Sequence, residues 1–204
     1  MAEVSTVSDS DASPSGRGRL IVLSGPSGVG KSSVVRVVRR TLPELWFSVS
    51  VTTRAPRPGE VDGEDYHFVT AEEFDRMVEG DELLEWASVH GGLHRSGTPA
   101  APVEEALERG RPVLLELDLA GARAVRVSKP EALLVFMAPP TWEDLVQRLT
   151  SRATEESAAT ERRLQTARVE LAAQNEFDTI IVNADVDHSC DELVSLLVGR
   201  SSVG

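Results

Sequence analysis

Short apolar runs separated by amphipathic stretches set the plan of this chain. Arg19 to Ser24, Trp46 to Val51, Pro112 to Asp118, Leu133 to Met137 and Thr179 to Asn183 are rich in Val, Leu and Ile. Runs of this length and composition predict buried strands. Between them the spacing turns helical. Val34, Val35, Val37 and Val38 predict a helix from Lys31 through Leu42, stopped by Pro43. Thr70-Ala-Glu-Glu73 reads as a capping box that opens a helix to about Glu79. Further helices are predicted from Pro102 to Arg109, over 121–128, and from Thr141 through Leu149. A stripe of Leu164, Ala167, Val169 and Leu171 predicts one from Arg162 to Ala173, and Ser189-Cys-Asp-Glu192 reads as a second capping box leading into Leu193 to Val198. Strands alternating with helices predict an α/β fold, a parallel sheet flanked by helices on both faces.

That alternation breaks between residues 50 and 98. Thr52 to Glu60 is full of Pro and Gly and predicts a loop, Tyr66 to Val69 a short strand, and Leu83 to Thr98 a hairpin-rich region. The reading is a core of residues 18–49 and 99–204, interrupted by an insert of residues 50–98. Residues 150–160 are small and polar, predicting a flexible loop with helical parts. Residues 1–17 hold almost nothing apolar and predict a disordered tail.

Net charge narrows the function classes. At −12 over 204 residues, the chain is a poor candidate for nonspecific nucleic-acid or anionic-membrane binding. No apolar run approaches spanning length, and no basic-then-apolar leader opens the chain. Cys190 is the lone cysteine, so no internal disulfide can form. The expectation is a soluble, cytoplasmic protein.

Chemistry concentrates in Gly25-Pro-Ser-Gly-Val-Gly30-Lys31-Ser32, set between a predicted strand and a predicted helix. Glycines at this spacing let successive N–H groups turn inward onto phosphate oxygens, at the positive end of a helix. Lys31 would lie against the β- and γ-phosphates of a nucleotide, and the Ser32 hydroxyl would ligate Mg²⁺. Arg54 and Arg57 lie three apart on the Pro-rich loop. They could converge on one phosphate, with the Tyr66 hydroxyl as a third donor, or simply decorate a solvated loop. No His and Cys spacing suggests a metal cage.

Several segments together resemble the guanylate kinase family: Ser24 to Ser33, Phe47 to Glu60, Asp62 to Phe68, Leu83 to Ala87, Glu116 to Gly121 and Ile181 to Asn183. They follow the family's order over roughly residues 19 to 199. The resemblance implies a P-loop nucleoside monophosphate kinase with a GMP-binding insert and a lid over about 150–163. It implies transfer of phosphate from ATP to GMP, with Mg²⁺. The ATP contacts it implies are Gly25, Pro26, Ser27, Gly28, Val29, Gly30, Lys31, Ser32, Ser33 and, on the adenine side, Asn183. For GMP it implies Ser50, Glu85 and Thr98 at the guanine, Arg54, Arg57 and Tyr66 at the phosphate, and Asp118 near both the base and the hydrated Mg²⁺. Arg148, Arg152 and Arg163 match the lid arginines. A tyrosine expected near Leu93 to Thr98 is missing, which leaves one phosphate contact to His94, Arg95 or Ser96. The lid reads Arg152-Ala-Thr154 where Arg-Gly-Thr is common. Two other readings stand beside this one. A phospho-ligand binding module would tend to lose the phosphate loop, which is intact here. A kinase of a phosphorylated small molecule such as a ribose bisphosphate would have no use for Glu85 and Ser50, which serve a guanine rather than a sugar.

Overall fold

In the computed structural model, residues 16–89, 92–151 and 157–199 are described. The first apolar run forms β1 (Leu20–Ser24), buried along its whole length. Parallel strands flank it on both sides, β7 (Val113–Glu116) and β8 (Leu133–Ala138). With β2 (Trp46–Phe47) and β9 (Thr179–Val182) they make a sheet in the order β2-β7-β1-β8-β9, every pair parallel. Because side chains alternate across a strand, Ile21 and Leu23 face one side of the sheet and Leu20 and Val22 the other. The first pair packs with Val34, Val35 and Val38 of α1 (Lys31–Thr41) and with apolar residues of α5 (Trp142–Thr150), α6 (Ser157–Ala172) and α7 (Val186–Leu197). The second pair packs with α3 (Ala100–Glu108) and α4 (Leu119–Ser128). Helices cover both faces, so the fold is α/β.

A second sheet is built from residues between Val51 and Pro99. Its order is β4 (His67–Phe68), β3 (Val51–Thr52), β6 (His94–Pro99), β5 (Leu83–Val89). α2 (Ala71–Glu79) packs on it through Phe74, whose ring meets Trp86 edge-on at 6.2 Å. Leu84 of β5 joins the core cluster shared by α3 and α4, which ties the second sheet to the first.

The chain departs from its sequence pattern in five places. The expected strand Trp46 to Val51 is divided. Ser48 N–H still bonds to the Leu114 carbonyl of the first sheet, whereas the Ser50 carbonyl accepts from His67 in the second. The run changes partners at its polar serines. The last helix begins not at Ser189 but at Val186, because Asp185 caps it by accepting from the His188 N–H at 2.9 Å. Ser189 is fully buried within that helix and cannot serve as its exposed cap. α4 likewise starts at Leu119, capped by Asp118, whose Oδ1 accepts from the Gly121 N–H at 2.8 Å. α3 starts at Ala100, so Pro102 falls in the first turn, where a missing N–H costs no helix bond. The box at Thr70 does cap its helix. α6 reaches back to Ser157, while Arg152 to Glu156 lie outside the described residues, as do residues 1–15 of the expected tail. Arg17, at the end of that expected tail, ion-pairs with Glu104 on α3. Among the described residues no helix is long and apolar enough to cross a membrane.

The Asp185 cap gives a direct check. Asp185→Ala should lower unfolding stability by about 1 kcal/mol, read as a lower urea midpoint with an unchanged slope. An unchanged midpoint would place the start of the helix elsewhere.

Candidate active site

β1 ends at Ser24 and the chain turns sharply against β8. Gly25 has φ +144, and a Cβ there would lie 2.3 Å from the Met137 carbonyl oxygen, so only glycine fits. A tight turn follows, with the Val29 N–H on the Pro26 carbonyl at 3.2 Å. Gly30, at φ +106, then hands the chain to α1. Gly25, Pro26, Ser27, Gly28, Gly30, Lys31, Ser32 and Ser33 line an open cleft here. Lys31 Nζ folds back over the loop to donate to the Gly25 carbonyl at 2.5 Å and the Pro26 carbonyl at 3.3 Å. Burial pushes its pKa down, and Glu116, Glu170 and Asp118 oppose that with their charge.

Two of those acids stand at the end of β7 and the start of α4, where a parallel sheet presents its functional edge. Burial raises the Glu116 pKa, against the pull of Lys31 and a hydrogen bond from Ser32. Glu170 comes from α6 and accepts from the Ser27 N–H; its pKa too is raised by burial. Val29 faces away from the cleft, fully buried, its carbonyl taken by Asn183 Nδ2 at 2.8 Å and Arg148 Nη1 at 2.9 Å. Arg163 reaches Ser27 Oγ at 3.2 Å. Arg152 lies outside the described residues.

A second cleft is lined by Ser50, Arg54, Arg57, Tyr66, Glu85, His94, Ser96 and Asp118 among others. The two clefts share Ser50, Tyr66, Glu116, Leu117 and Asp118, so they run into one another at the end of β7. Arg54 lies over the Tyr66 ring, 5.1 Å from its centroid, and grips Glu60 with both terminal nitrogens at 2.8 and 2.9 Å. Glu60 also accepts from the Arg57 backbone N–H at 2.7 Å. The Arg54 bond and then the Arg57 amide pull its carboxyl down to about 2. Glu60 is thus the pin that shapes the Arg54 to Glu60 loop.

Glu85 is the deep acid of this cleft, 7% exposed. A register shift between Leu83 and Glu85, of the kind a bulge produces, accompanies burial of two consecutive side chains, Leu84 in the core and Glu85 on the cleft wall. Thr98 sits fully buried behind it and donates to Glu85 Oε1 at 2.7 Å. Burial pushes Glu85 up to about 7; the Thr98 bond works against the rise and the nearby Asp118 charge adds to it. Along β6, alternation turns His94 and Ser96 toward the cleft and Arg95 away. Arg95 ion-pairs with Asp75, bonds to the Ala71 carbonyl at 2.9 Å and lies over Phe74. Of the three residues left for the missing tyrosine contact, only His94 and Ser96 face the cleft, and the Ser96 hydroxyl is spent on the Val51 carbonyl at 3.0 Å.

The sequence names most of both clefts but not Glu64, Asp65, Glu116 or Glu170, which line them, nor Glu60, which pins the Arg54 loop. Glu116 was visible in the acid pair closing β7, and Glu60 in the Pro-rich loop beside its arginines. Glu170 had no signal, because only the packing of α6 brings it to the phosphate loop.

Comparison with known proteins places the chain. The family model described as guanylate kinase matches residues 17–199. A guanylate kinase of Rhodococcus jostii is 71% identical over 184 residues, covering 90% of this chain and 89% of that one. One from Mycobacterium tuberculosis is 60% identical over 188 residues, covering 92% and 90%. The crystal structure of guanylate kinase from Anaplasma phagocytophilum superposes with a TM-score of 0.72 at 31% identity, covering 92% of this chain and 88% of that one. Phosphate loop, parallel sheet and matched length agree, and the chain belongs to the guanylate kinase family.

Proposed function

We propose that this chain transfers the γ-phosphoryl group of ATP to GMP, giving ADP and GDP. The observation that carries the reading is the junction of the clefts: the phosphate loop opens onto a chamber with a buried acid, Glu85, in its wall. Guanine offers N1–H and its 2-amino group as adjacent donors, and an ionised carboxylate can accept both. Adenine turns a bare acceptor toward the same anion, which leaves a desolvated charge unpaired. In this reading Thr98 orients Glu85, Ser50 stands beside the base, and Arg54, Arg57 and Tyr66 take the GMP phosphate with His94 in the place of the missing tyrosine. Glu60 holds Arg54 in position for that task.

ATP lies along the loop amides from Gly25 to Ser33, with Lys31 on its phosphates and Asn183 on the adenine side. The Ser32 hydroxyl and the carboxylates of Glu116 and Asp118 are hard oxygen donors at one cleft wall, a set that fits Mg²⁺. Among the described residues no cluster of three His, Cys, Asp or Glu is placed to hold a metal by itself. Phosphate oxygens and water would complete the coordination. When bound, Mg²⁺ neutralises charge on the β- and γ-phosphates.

A GMP phosphate oxygen attacks the γ-phosphorus in line as the bond to the bridging oxygen breaks; no protein nucleophile takes part. Lys31, Arg54, Arg148, Arg152 and Arg163 neutralise the charge on the transferring group. The lid over about 150–163 closes to exclude water, which would otherwise compete for the phosphoryl group. The buried free thiol of Cys190 is compatible with a reducing cytoplasm, the setting for guanine nucleotide recycling.

An ADP-release assay across GMP, dGMP, AMP, UMP and ribose bisphosphate tests the acceptor. GMP should be used best by a wide margin; preference for another acceptor would overturn the reading. Lys31→Ala should cut turnover by about 3 kcal/mol of transition-state stabilisation in a protein that still unfolds cooperatively at its usual midpoint. Near-normal turnover would remove Lys31 from the mechanism.

Glu85 predicts a pH dependence. Its pKa is raised to about 7, so the acceptor form is lost as pH falls through that value. KM for GMP should rise about tenfold for each pH unit below the pKa, while KM for ATP changes little. Glu85→Gln should abolish that dependence together with most GMP use. A GMP profile flat from about pH 8 to about pH 6 would exclude Glu85 as the guanine reader.

A further inference from the structure

Behind the phosphate loop lies a chain of buried hydrogen bonds that ties β9 and α7 to the loop backbone. Ser189, fully buried in the first turn of α7, donates from Oγ to Asn183 Oδ1 at 3.1 Å. Asn183, 3% exposed at the end of β9, donates from Nδ2 to the Val29 carbonyl at 2.8 Å. Arg148 donates to the same carbonyl at 2.9 Å and to the Asn183 carbonyl at 3.3 Å. Both acceptor sites of the Val29 oxygen are filled, one by a charged donor. Val29, Arg148, Asn183 and Ser189 line neither of the two clefts described above.

A trans peptide is planar, so its C=O and N–H point in opposite directions. No cis peptide occurs among the described residues. Two donors holding the Val29 oxygen on the buried side therefore turn the Gly30 N–H toward the cleft. Among the described residues no protein atom accepts from that N–H. Glycine at φ +106 makes this peptide easy to rotate, since no Cβ resists the change. A rotated peptide would present its carbonyl oxygen to the phosphates and repel them. The packing is close as well: a Cβ on Gly30 would lie 2.5 Å from Asn183 Nδ2.

We propose that Asn183 and Ser189 are positioning residues for phosphoryl transfer, locking the Val29–Gly30 peptide so that the Gly30 N–H faces the donor phosphates. Asn183 supplies the amide donor. Ser189 fixes which way that amide points, because its hydroxyl donates to the oxygen end and leaves the nitrogen end for Val29. Asn183 thus reaches ATP through the loop backbone, in addition to any adenine contact. The inference rests on the ATP-site reading of the phosphate-loop cleft.

The test compares Ser189→Ala, Ser189→Thr and Asn183→Asp with the unaltered protein. Asn183→Asp turns a carboxylate toward the Val29 oxygen and should lower kcat/KM for ATP by about a hundredfold, and Ser189→Ala by about tenfold. KM for GMP should stay within about twofold in both, and Ser189→Thr, which keeps the hydroxyl, should recover most of the loss. A ¹⁵N-resolved proton spectrum gives a readout apart from turnover. In the unaltered protein the Gly30 amide proton should move downfield when ADP and Mg²⁺ are added, and in Asn183→Asp it should not. Equal losses toward ATP and GMP, unchanged ATP kinetics in folded variants, or an unmoved Gly30 amide in the unaltered protein would each overturn the proposal. An unaltered protein that shows the shift yet phosphorylates an acceptor other than GMP would overturn the acceptor reading and support the lock.

Discussion

The passage from β1 to α1 is the constraint on which the site depends. β1 is paired on both sides and buried on both faces, so its end cannot move without disturbing the whole sheet. From that fixed point the chain must turn within a few residues into a helix whose valines are locked in the core. Gly25, pressed on the Met137 carbonyl, makes the turn possible. The loop that results is rigid at both ends, and its amides are held ready for phosphate without reorganising when one arrives.

Charge is managed locally against an acidic whole. With a net charge of −12, the protein has little general attraction for a nucleotide. In the proposed function, attraction is concentrated in Lys31, the loop amides and a few arginines, several of them fixed by internal partners. Arg54 is held by Glu60, Arg148 by the Val29 carbonyl, and Arg163 by Ser27. Such pairing lowers the net pull of each cation but sets its direction, and direction matters when phosphate oxygens must be met from several sides. Glu85 follows the opposite logic. Burial makes its ionised form costly, and in the proposed function that cost would tell a purine with two adjacent donors from one with none.

The second sheet depends on the first for its place. Leu84 anchors β5 in the core shared by α3 and α4, and the next residue, Glu85, faces the cleft. Asp118 caps α4 with one oxygen while its carboxylate borders both clefts. Residues that build the fold therefore also set the distance between the phosphate loop and the acid across from it.

The linear pattern determined the α/β class, the parallel core and the phosphate loop, because each rests on neighbours in sequence: apolar runs, helical spacing, and glycines a fixed distance from Lys31. It also held the residues of the second cleft in recognisable segments. What it could not determine was anything decided by partners far along the chain. The run from Trp46 to Val51 looks continuous, yet its two ends belong to different sheets because Leu114 and His67 compete for its backbone. The sequence offers a capping box at Ser189, yet Ser189 is buried against Asn183, and Asp185, four residues earlier, caps the helix instead. Glu170 and the Val29 lock have no local signature at all, since their geometry exists only once α6, α7 and β9 have packed around the loop. Periodicity reports which face of an element is buried; only the assembled structure fixes which buried polar groups meet, because contacts such as those of Arg148 and Asn183 with Val29 join positions more than a hundred residues apart.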